Sequence, residues 1–299
     1  MREYTPETIT DAVLDQMATT QDPRLKEIME SAVRHLHAFA REVNLTPAEW
    51  IRGIEFLSRV GHMCSSARQE FILLSDTLGL STLVNTLHDK TAMEEATHTS
   101  LLGPFFRESA PAFEPGAQIS QKDRSQEIVL WGRVTDSRGE PIPGAQVTVW
   151  QTASDGRYDM QSGPEEVDCR GVFRTDAEGL YHLRTVRPLG YYIPLDGPVG
   201  EMIQAQGRHG MRPAHIHFLI GAPGYRELVT AIYLAGDAHL DDDVVFGASA
   251  DLVAQEKPED PDCPIRGLPS VHFDFALSRE SGAAAIGRVG ADPSKIAAE

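Results

Sequence analysis

The sequence predicts an α+β protein in which a helical N-terminal domain is followed by an all-β sandwich. Three observations lead to this prediction. Apolar residues recur at helical spacing before residue 100, short runs of β-forming residues separated by turns follow from Gln126, and Gly and Pro are scarce until 101–105. At about 150 residues per domain, a chain of 299 residues also corresponds to two domains.

These changes of pattern divide the chain into four parts. We expect a helical domain over 1–100, a linking segment over 101–126, a β-sandwich over 127–276 and a C-terminal tail over 277–299. The tail is rich in Ala, Gly and Ser, which predicts loose packing there.

About four helices are predicted in the N-terminal part. Over 22–43, apolar residues recur at steps of three and four, which is the amphipathic signature: Leu25, Ile28, Met29, Val33, Leu36, Phe39 and Ala40. Thr46 is a candidate N-cap, with Pro47 at the first helical position and Glu49 in place to complete a capping box. A further helix is predicted over 67–87, with a possible break at Gly79.

The strands are predicted from β-branched and aromatic runs bounded by turn residues. They cover 128–131, 147–150, 172–175, 181–186, 216–220 and 228–234. Short strands at this spacing, with few helices between them, favour a sandwich or a barrel. We adopt the sandwich.

Charge and cysteine content limit the classes of function. The formal net charge of −17, with no basic patch, argues against DNA or RNA as the main partner. The cysteines are Cys64, Cys169 and Cys263, and neither a disulfide framework nor a cysteine-rich zinc site is indicated. The chain has no run of about 18 apolar residues and no apolar signal core at its start, so we expect no membrane span and a cytoplasmic protein.

The first chemical signal is the pair His215 and His217. Residues two apart in a strand face the same side, so the two imidazoles would lie side by side and suit one metal ion. Taken alone, such a pair is more often structural or incidental. The carboxylate of a two-histidine ferrous site is not obvious beside it, and Asp241–Asp243 is interpreted as a solvated turn rather than a calcium loop.

Tyrosines are the other candidate ligands. Tyr158 follows a predicted strand, and Tyr191 and Tyr192 lie in a turn-rich segment before the histidine pair. A phenol has a pKa of about 10 and becomes a phenolate at neutral pH only beside a strong Lewis acid such as ferric iron. For any single tyrosine, the alternative is a core aromatic whose hydroxyl is bonded locally.

Together, four residues carry a resemblance to a known family. Tyr158, Tyr191, His215 and His217, at spacings of 33, 24 and 2 residues, resemble the ferric iron ligands of the intradiol ring-cleaving dioxygenases. The segments 144–151 and 208–217 are also similar to that family, and 68–76 and 191–200 are most similar to its hydroxyquinol 1,2-dioxygenases. The register with the family selects Tyr191 rather than Tyr192.

The resemblance implies an enzyme with non-haem Fe(III) that uses O₂ to open an aromatic ring between two hydroxylated carbons. The implied substrate is hydroxyquinol (benzene-1,2,4-triol), giving 3-hydroxy-cis,cis-muconate and then maleylacetate in aromatic catabolism. The enzymatic alternative is a catechol or chlorocatechol 1,2-dioxygenase that forms cis,cis-muconates. The alternative from a different class is a non-catalytic β-sandwich binding module.

The resemblance also implies roles for individual residues. Tyr191 would accept a substrate proton, and Arg212 would stabilise negative charge on the ring; without the motif, Arg212 would be taken for a surface salt bridge. The segment-by-segment match gives the substrate wall as Leu73, Asp76, Leu102, Gly103, Pro104, Phe105, Ile193, Pro194 and Arg212. Asp76 would accept a hydrogen bond from a third ring hydroxyl, or it is a carboxylate on a helix surface.

One residue departs from the family pattern. Ala231 stands where catechol 1,2-dioxygenases have a glutamine, so a hydrogen bond near the site is missing or supplied elsewhere. The resemblance further implies a homodimer formed through the N-terminal helices and an apolar tunnel that holds phospholipid tails.

Overall fold

The computed structural model describes residues 3–65, 68–89, 96–163 and 166–280. The chain divides into two compact units, residues 1–59 and 60–299. Within the described residues, no helix combines the length and the apolar character that crossing a bilayer requires.

Two of the first three helices begin at capping residues. The three are α1 (Ile9–Gln16), α2 (Pro23–Glu42) and α3 (Pro47–Met63), and the capping residues precede α2 and α3. The Asp22 side chain accepts hydrogen bonds from the first free N–H groups of α2, and Pro23 occupies a position where no N–H is needed. At α3, the Thr46 backbone N–H donates to the Glu49 carboxylate at 2.9 Å, and the Glu49 N–H donates back to the Thr46 hydroxyl at 3.3 Å. The predicted capping box is therefore confirmed.

The helix predicted over 67–87 consists of two helices. These are α4 (Glu70–Thr77) and α5 (Leu80–Asp89), separated at Gly79, whose φ of +72° is the left-handed conformation that ends a helix. The predicted break is confirmed, and the described part of the N-terminal region has five helices rather than about four.

Strands dominate the rest of the chain. In order they are β1 (Glu127–Asp136), β2 (Gln146–Gln151), β3 (Arg170–Arg174), β4 (Leu180–Val186), β5 (Tyr191–Tyr192), β6 (Met211–Arg212), β7 (His215–Gly221), β8 (Leu228–Leu234), β9 (Val253–Ala254), β10 (Glu256–Lys257), β11 (Ser270–His272) and β12 (Phe275–Leu277). A sixth helix, α6 (Pro198–Ala205), lies between β5 and β6.

Two five-stranded sheets enclose the core, as predicted for a sandwich. One sheet has the order β10-β11-β1-β12 with β4 also paired to β1, and the other has the order β3-β2-β7-β8-β9. Apolar residues from both sheets form one buried cluster, including Leu130, Leu183, Val149 and Phe218. Gly132 lies where β1 passes from β11 to β12, and a Cβ there would lie 1.8 Å from the Phe273 carbonyl oxygen, so only glycine fits.

The elements that the sequence did not predict are short or begin at a glycine. β5, β6, β9 and β10 have two residues each, too few to show a period of two. Helix α6 starts at Gly197-Pro198, which is a helix-start signal inside a segment interpreted as turns. β12 extends across the boundary predicted at residue 276, and residues 281–299 of the predicted tail lie outside the described residues.

Candidate metal centre

Four side chains from three segments of the β-sandwich region lie close together. Tyr158 lies in the loop after β2, Tyr191 lies in β5, and His215 and His217 share one face at the start of β7. Ring centroids are 5.5 Å apart for Tyr158 and Tyr191, 5.6 Å for Tyr191 and His215, and 4.7 Å for the two histidines. We call these four residues the phenol–imidazole cluster.

Hydrogen bonds orient His215 toward this cluster. Its Nδ1 lies 2.7 Å from the Pro213 carbonyl oxygen, which can only accept, so Nδ1 carries the ring hydrogen. Nε2 therefore keeps its lone pair, and the Tyr158 hydroxyl lies 3.2 Å from it. A carbonyl that fixes the tautomer in this way is typical of metal-ligating histidines.

Burial favours the neutral forms of Tyr158, His215 and His217. Tyr158, His215 and His217 are each at most 2% exposed. Burial raises the pKa of Tyr158 well above its usual range. Burial also lowers the pKa of His215 and His217 well below the usual range, and the Arg212 charge lowers both further. Tyr158 is thus a protonated phenol, and the two histidines are neutral imidazoles.

Strand alternation separates the two adjacent tyrosines. Tyr191 pairs with Arg212 across β5 and β6 and is half-buried in the cluster, whereas Tyr192 is 63% exposed. Of the two tyrosines, Tyr191 is therefore the one that lies in the cluster.

Aromatic rings hold the cluster from outside. Phe105 stacks on Tyr158 with centroids 4.2 Å apart, and Trp150 of β2 stacks on His217 at 5.0 Å. Gly103 has a φ of +73°, and a Cβ there would lie 3.3 Å from Nε2 of His217. The backbone at Gly103 therefore lies beside the imidazole edge.

The residues predicted to form the substrate wall differ in how deeply they are buried. Leu73 and Ile193 belong to one apolar cluster with Leu101 and Val244, whereas Pro104 and Pro194 are exposed and Leu102 is half-buried.

Asp76 is buried, with 8% of its surface exposed, which is unlike a helix-surface carboxylate. Burial raises the pKa of Asp76, although a hydrogen bond with Ser81 and the Arg212 charge oppose the shift.

Arg212 is buried and paired with a residue that the sequence analysis misjudged. The interpretation of Asp241–Asp243 as a solvated turn is wrong for Asp243, which is 4% exposed and forms an ion pair with Arg212 at 3.2 Å. Burial disfavours the charged form of Arg212, but Asp243, Tyr233 and Tyr191 raise its pKa well above the usual range. A buried cation needs such a partner.

Strand β8 contains Ala231, which stands where catechol 1,2-dioxygenases have a glutamine, and a nearby tyrosine that forms a hydrogen bond. Ala231 lies opposite His217 in the β7–β8 register, and Tyr233 lies opposite His215. The Tyr233 hydroxyl accepts a hydrogen bond from Arg212 at 3.1 Å.

A second buried ion pair supports Tyr158 and was also missed. Arg170 of β3 donates to Asp159, the residue after Tyr158, with Nε and Oδ2 2.6 Å apart. Arg170 also donates to the Phe105 carbonyl oxygen at 3.1 Å. One guanidinium thus fixes both the Tyr158 loop and the ring that stacks on Tyr158. No local pattern in the sequence marks this pairing.

Another group of potential ligands lies nearer the surface. His209, His239 and Asp242 place one ligand atom each within 4.8 Å of one another. We call them the His–Asp–His cluster. Nδ1 of His209 accepts the Met211 backbone N–H at 3.1 Å, so its Nε2 carries the hydrogen that points to Asp242 at 2.9 Å. The His209 nitrogen that faces this group therefore has no free lone pair.

The phenol–imidazole cluster fits a trivalent iron ion. Imidazole nitrogen and phenolate oxygen are both iron ligands, and a cation compensates for the cost of deprotonating a buried phenol. The lone pair on Nε2 of His215 faces Tyr158, as a shared ion requires.

Comparison with known proteins gives consistent matches over almost the whole chain. A sequence family described as "Catechol dioxygenase N terminus" matches residues 22–96, and one described as "Dioxygenase" matches 101–279. The chain is 44% identical to the 6-chlorohydroxyquinol 1,2-dioxygenase of Cupriavidus pinatubonensis, covering 93% of this chain and 99% of that protein. It is 42% identical to the hydroxyquinol 1,2-dioxygenase of Nocardioides simplex, covering 90% of this chain and 94% of that protein. The crystal structure of hydroxyquinol 1,2-dioxygenase from Pseudomonas putida DLL-E4 superposes with a TM-score of 0.86 at 42% identity, covering 92% of this chain and 99% of that one.

Proposed function

The chain belongs to the intradiol ring-cleaving dioxygenase family, and from this premise we propose that it cleaves hydroxyquinol with O₂ at non-haem Fe(III). The product is 3-hydroxy-cis,cis-muconate, which tautomerises to maleylacetate. The observation that carries the proposal is the close approach of two tyrosines and two histidines, three of them buried. The choice of substrate is supported by two relatives, at 42–44% identity, whose names refer to hydroxyquinols.

Tyr158, Tyr191, His215 and His217 hold the metal in this proposal. When bound, ferric iron supplies a Lewis acid that lowers the pKa of the ring hydroxyls and holds the ring diol for reaction with O₂. Tyr191 is half-buried, whereas Tyr158 is fully buried, so Tyr191, as the phenolate it would become on a bound ferric ion, is the side chain that would accept a proton from an entering hydroxyl.

Arg212 acts on the charge of the ring in this proposal. Its guanidinium is buried, remains protonated and lies 3.1 Å from Nε2 of His215. A fixed positive charge at this position stabilises the negative charge that develops on a deprotonated diol and costs no reorganisation during the reaction.

The substrate wall combines apolar surface with one carboxyl. Leu73 and Ile193 give an apolar side to the ring site, and Phe105 covers Tyr158. Asp76, which is buried, accepts a hydrogen bond from the third hydroxyl of a triol. The proposed wall also includes Leu102, which is half-buried, and the exposed residues Pro104 and Pro194.

Substrate preference tests the proposal. Iron-loaded protein is assayed with hydroxyquinol, catechol and 4-chlorocatechol by oxygen uptake and product absorbance. We expect hydroxyquinol to have the highest kcat/KM and the concentrated protein to be wine-red from phenolate-to-ferric charge transfer. A higher kcat/KM for catechol would support the catechol dioxygenase alternative. Colourless iron-treated protein that cleaves none of the three would overturn the proposal.

The remaining proposals concern the parts of the chain and their partners. Residues 1–100 dimerise, 101–126 link and line the ring site, 127–276 hold the iron, and 277–299 form a tail. The proposed homodimer is supported by apolar residues on α2 that are exposed in the monomer: Leu25, Ile28, Met29, Leu36 and Phe39. Light scattering tests the dimer, and mass spectrometry of an organic extract tests for phospholipid. We also propose a cytoplasmic location.

A further inference from the structure

The Arg212 side chain is held by two partners other than the candidate metal ligands. Its Nε donates to Oδ1 of Asp243 and its Nη2 donates to Oδ2, both at 3.2 Å. Nη2 also donates to the Tyr233 hydroxyl at 3.1 Å. All three residues are buried. Three of the five N–H groups of the guanidinium are therefore used on one side.

The remaining two N–H groups belong to Nη1, which lies at the phenol–imidazole cluster. Nη1 is 3.1 Å from Nε2 of His215, the atom that also faces the Tyr158 hydroxyl. A metal bound to Nε2 of His215 would occupy the lone pair that Nη1 now contacts. Both N–H groups of Nη1 are then available to another acceptor in the site.

Asp243 is itself fixed by the backbone. Its carboxylate accepts N–H groups from Val245 at 3.3 Å, Gly247 at 3.0 Å and Ala248 at 3.2 Å. Gly247 leaves no room for a side chain, because a Cβ there would lie 2.9 Å from Nη2 of Arg212 and 2.7 Å from the Tyr233 oxygen. The Asp243 carboxylate is thus held by the backbone of the turn that follows it, and it holds the Arg212 guanidinium in turn.

We propose that Asp243, assisted by Tyr233, is the positioning residue that reserves the Nη1 N–H groups of Arg212 for the oxygen or ring carbanion of a deprotonated ortho-diol. The role rests on the proposed function, because it requires an anionic ring in the site. A guanidinium fixed in this way does not reorient as charge develops on the ring. Arg212 touches the substrate, and Asp243 acts through it.

A double-mutant cycle tests whether Asp243 acts through Arg212. The iron-loaded wild type, Asp243→Asn, Arg212→Ala and the double variant are compared for kcat, KM and iron content. We expect Asp243→Asn to lower kcat about 10- to 100-fold, as outer partners of metal sites do, with iron content retained. In the Arg212→Ala background the same change should cost less than about twofold, because its target is absent. Equal losses in both backgrounds would overturn the proposal, since Asp243 would then only hold its turn.

Tyr233→Phe provides a second cycle that does not depend on the folding of Asp243→Asn. It removes one hydroxyl and keeps the ring that faces His215. We expect about a tenfold loss of kcat/KM in the wild-type background, the lower end for a hydrogen bond from a charged donor, and no loss in the Arg212→Ala background. Unchanged kinetics in both backgrounds would remove Tyr233 from the proposal. A loss that persists without Arg212 would overturn its role through Arg212.

A measurement of ligand binding without turnover distinguishes a failure of the role proposed for Asp243 from a failure of the proposed function. The affinity for 4-nitrocatechol, whose anion is coloured, is measured without oxygen on the same set of proteins. We expect weaker binding in Asp243→Asn and in Tyr233→Phe, but only where Arg212 is present. A wild type that binds nitrocatechol yet opens no ring would refute the proposed function, while the cycle on affinity would still decide the role of Asp243.

Discussion

The phenol–imidazole cluster and the His–Asp–His cluster both bring two imidazoles next to oxygen atoms, yet His215 faces its cluster with a nitrogen lone pair whereas His209 faces its cluster with an N–H. The difference lies in the backbone group that each histidine meets. Nδ1 of His215 donates to the Pro213 carbonyl, which frees Nε2, whereas Nδ1 of His209 accepts the Met211 N–H, which places the hydrogen on Nε2. Ligand spacing alone does not separate the two clusters.

Burial separates the two clusters further. The phenol–imidazole cluster has little solvent and no carboxylate among its four members, so a cation there compensates for the buried oxygen donors. In the His–Asp–His cluster, His209 and His239 are half-buried and Asp242 is exposed. Hydrogen bonds between these residues already satisfy the group. A metal centre is therefore recognised from tautomer and burial together.

Tyr158→Phe tests the phenol–imidazole cluster with the largest expected effect. The change removes one oxygen donor and keeps the ring that stacks on Phe105. We expect iron retention and turnover to fall by at least about 100-fold, since even outer partners of a metal ligand are worth 10- to 100-fold. Metal analysis and the visible charge-transfer band report the loss. Full colour and activity in this variant would remove Tyr158 as a ligand.

Gly103→Ala tests how tightly the same cluster is enclosed. The added Cβ lies 3.3 Å from the His217 ring, and the φ of +73° strains any alanine by about 1 kcal/mol. We expect iron affinity to fall about tenfold, because the imidazole must move. Gly139→Ala is the matched control, with a φ of +82° and no atom within 4 Å of the added Cβ. Equal iron affinity in the two variants would contradict the close contact.

Local sequence predicted the elements whose signals are contiguous. Thr46, Pro47 and Glu49 mark the start of α3, and runs of β-branched and aromatic residues mark the long strands, because each signal lies within a few residues of its element. The resemblance indicated the two tyrosines and two histidines as a set, since no local period joins residues 33 and 24 positions apart.

Asp243 and Arg170 could not be predicted in this way. Asp243 stands in a row of three acids that suggests solvent, and its partner Arg212 is 31 residues away. Arg170 meets Phe105 across 65 residues. Such pairs exist only after β3, β6 and β8 are placed, so they depend on tertiary packing rather than on local pattern.

Asp76, which interacts with Arg212, and Asp242 of the His–Asp–His cluster should affect the stability of the protein differently as pH changes. Burial raises the pKa of Asp76, whereas hydrogen bonds with His209 and His239 lower the pKa of Asp242. A raised carboxyl pKa in the folded state costs stability as pH rises above the unfolded value of about 3.9, and a lowered one adds stability above that value that is lost on acidification. The two aspartates should therefore respond in opposite directions to neutralisation.

Asp76→Asn should therefore raise the Tm of the metal-free protein at pH 7 relative to wild type, by about 2 °C, with no gain below pH about 3.5. Asp242→Asn should lower the Tm at pH 7, and this loss should disappear on acidification. Thermal unfolding followed by circular dichroism at the two pH values measures both. Changes of the same sign for the two variants at pH 7 would contradict the assigned difference in environment.

His209→Gln should have the smallest effect, and it separates the two clusters most directly. Because Nδ1 of His209 is already an acceptor for Met211, we expect iron content and kcat to stay within about twofold of wild type, as for a surface substitution away from a site. When Zn²⁺ is titrated into the iron-loaded protein and the heat is measured, we expect the wild type to show no saturable binding that is lost in His209→Gln. A zinc-binding event lost in His209→Gln would show that the backbone N–H yields its nitrogen to a metal, and the tautomer argument that distinguishes the two clusters would then fail.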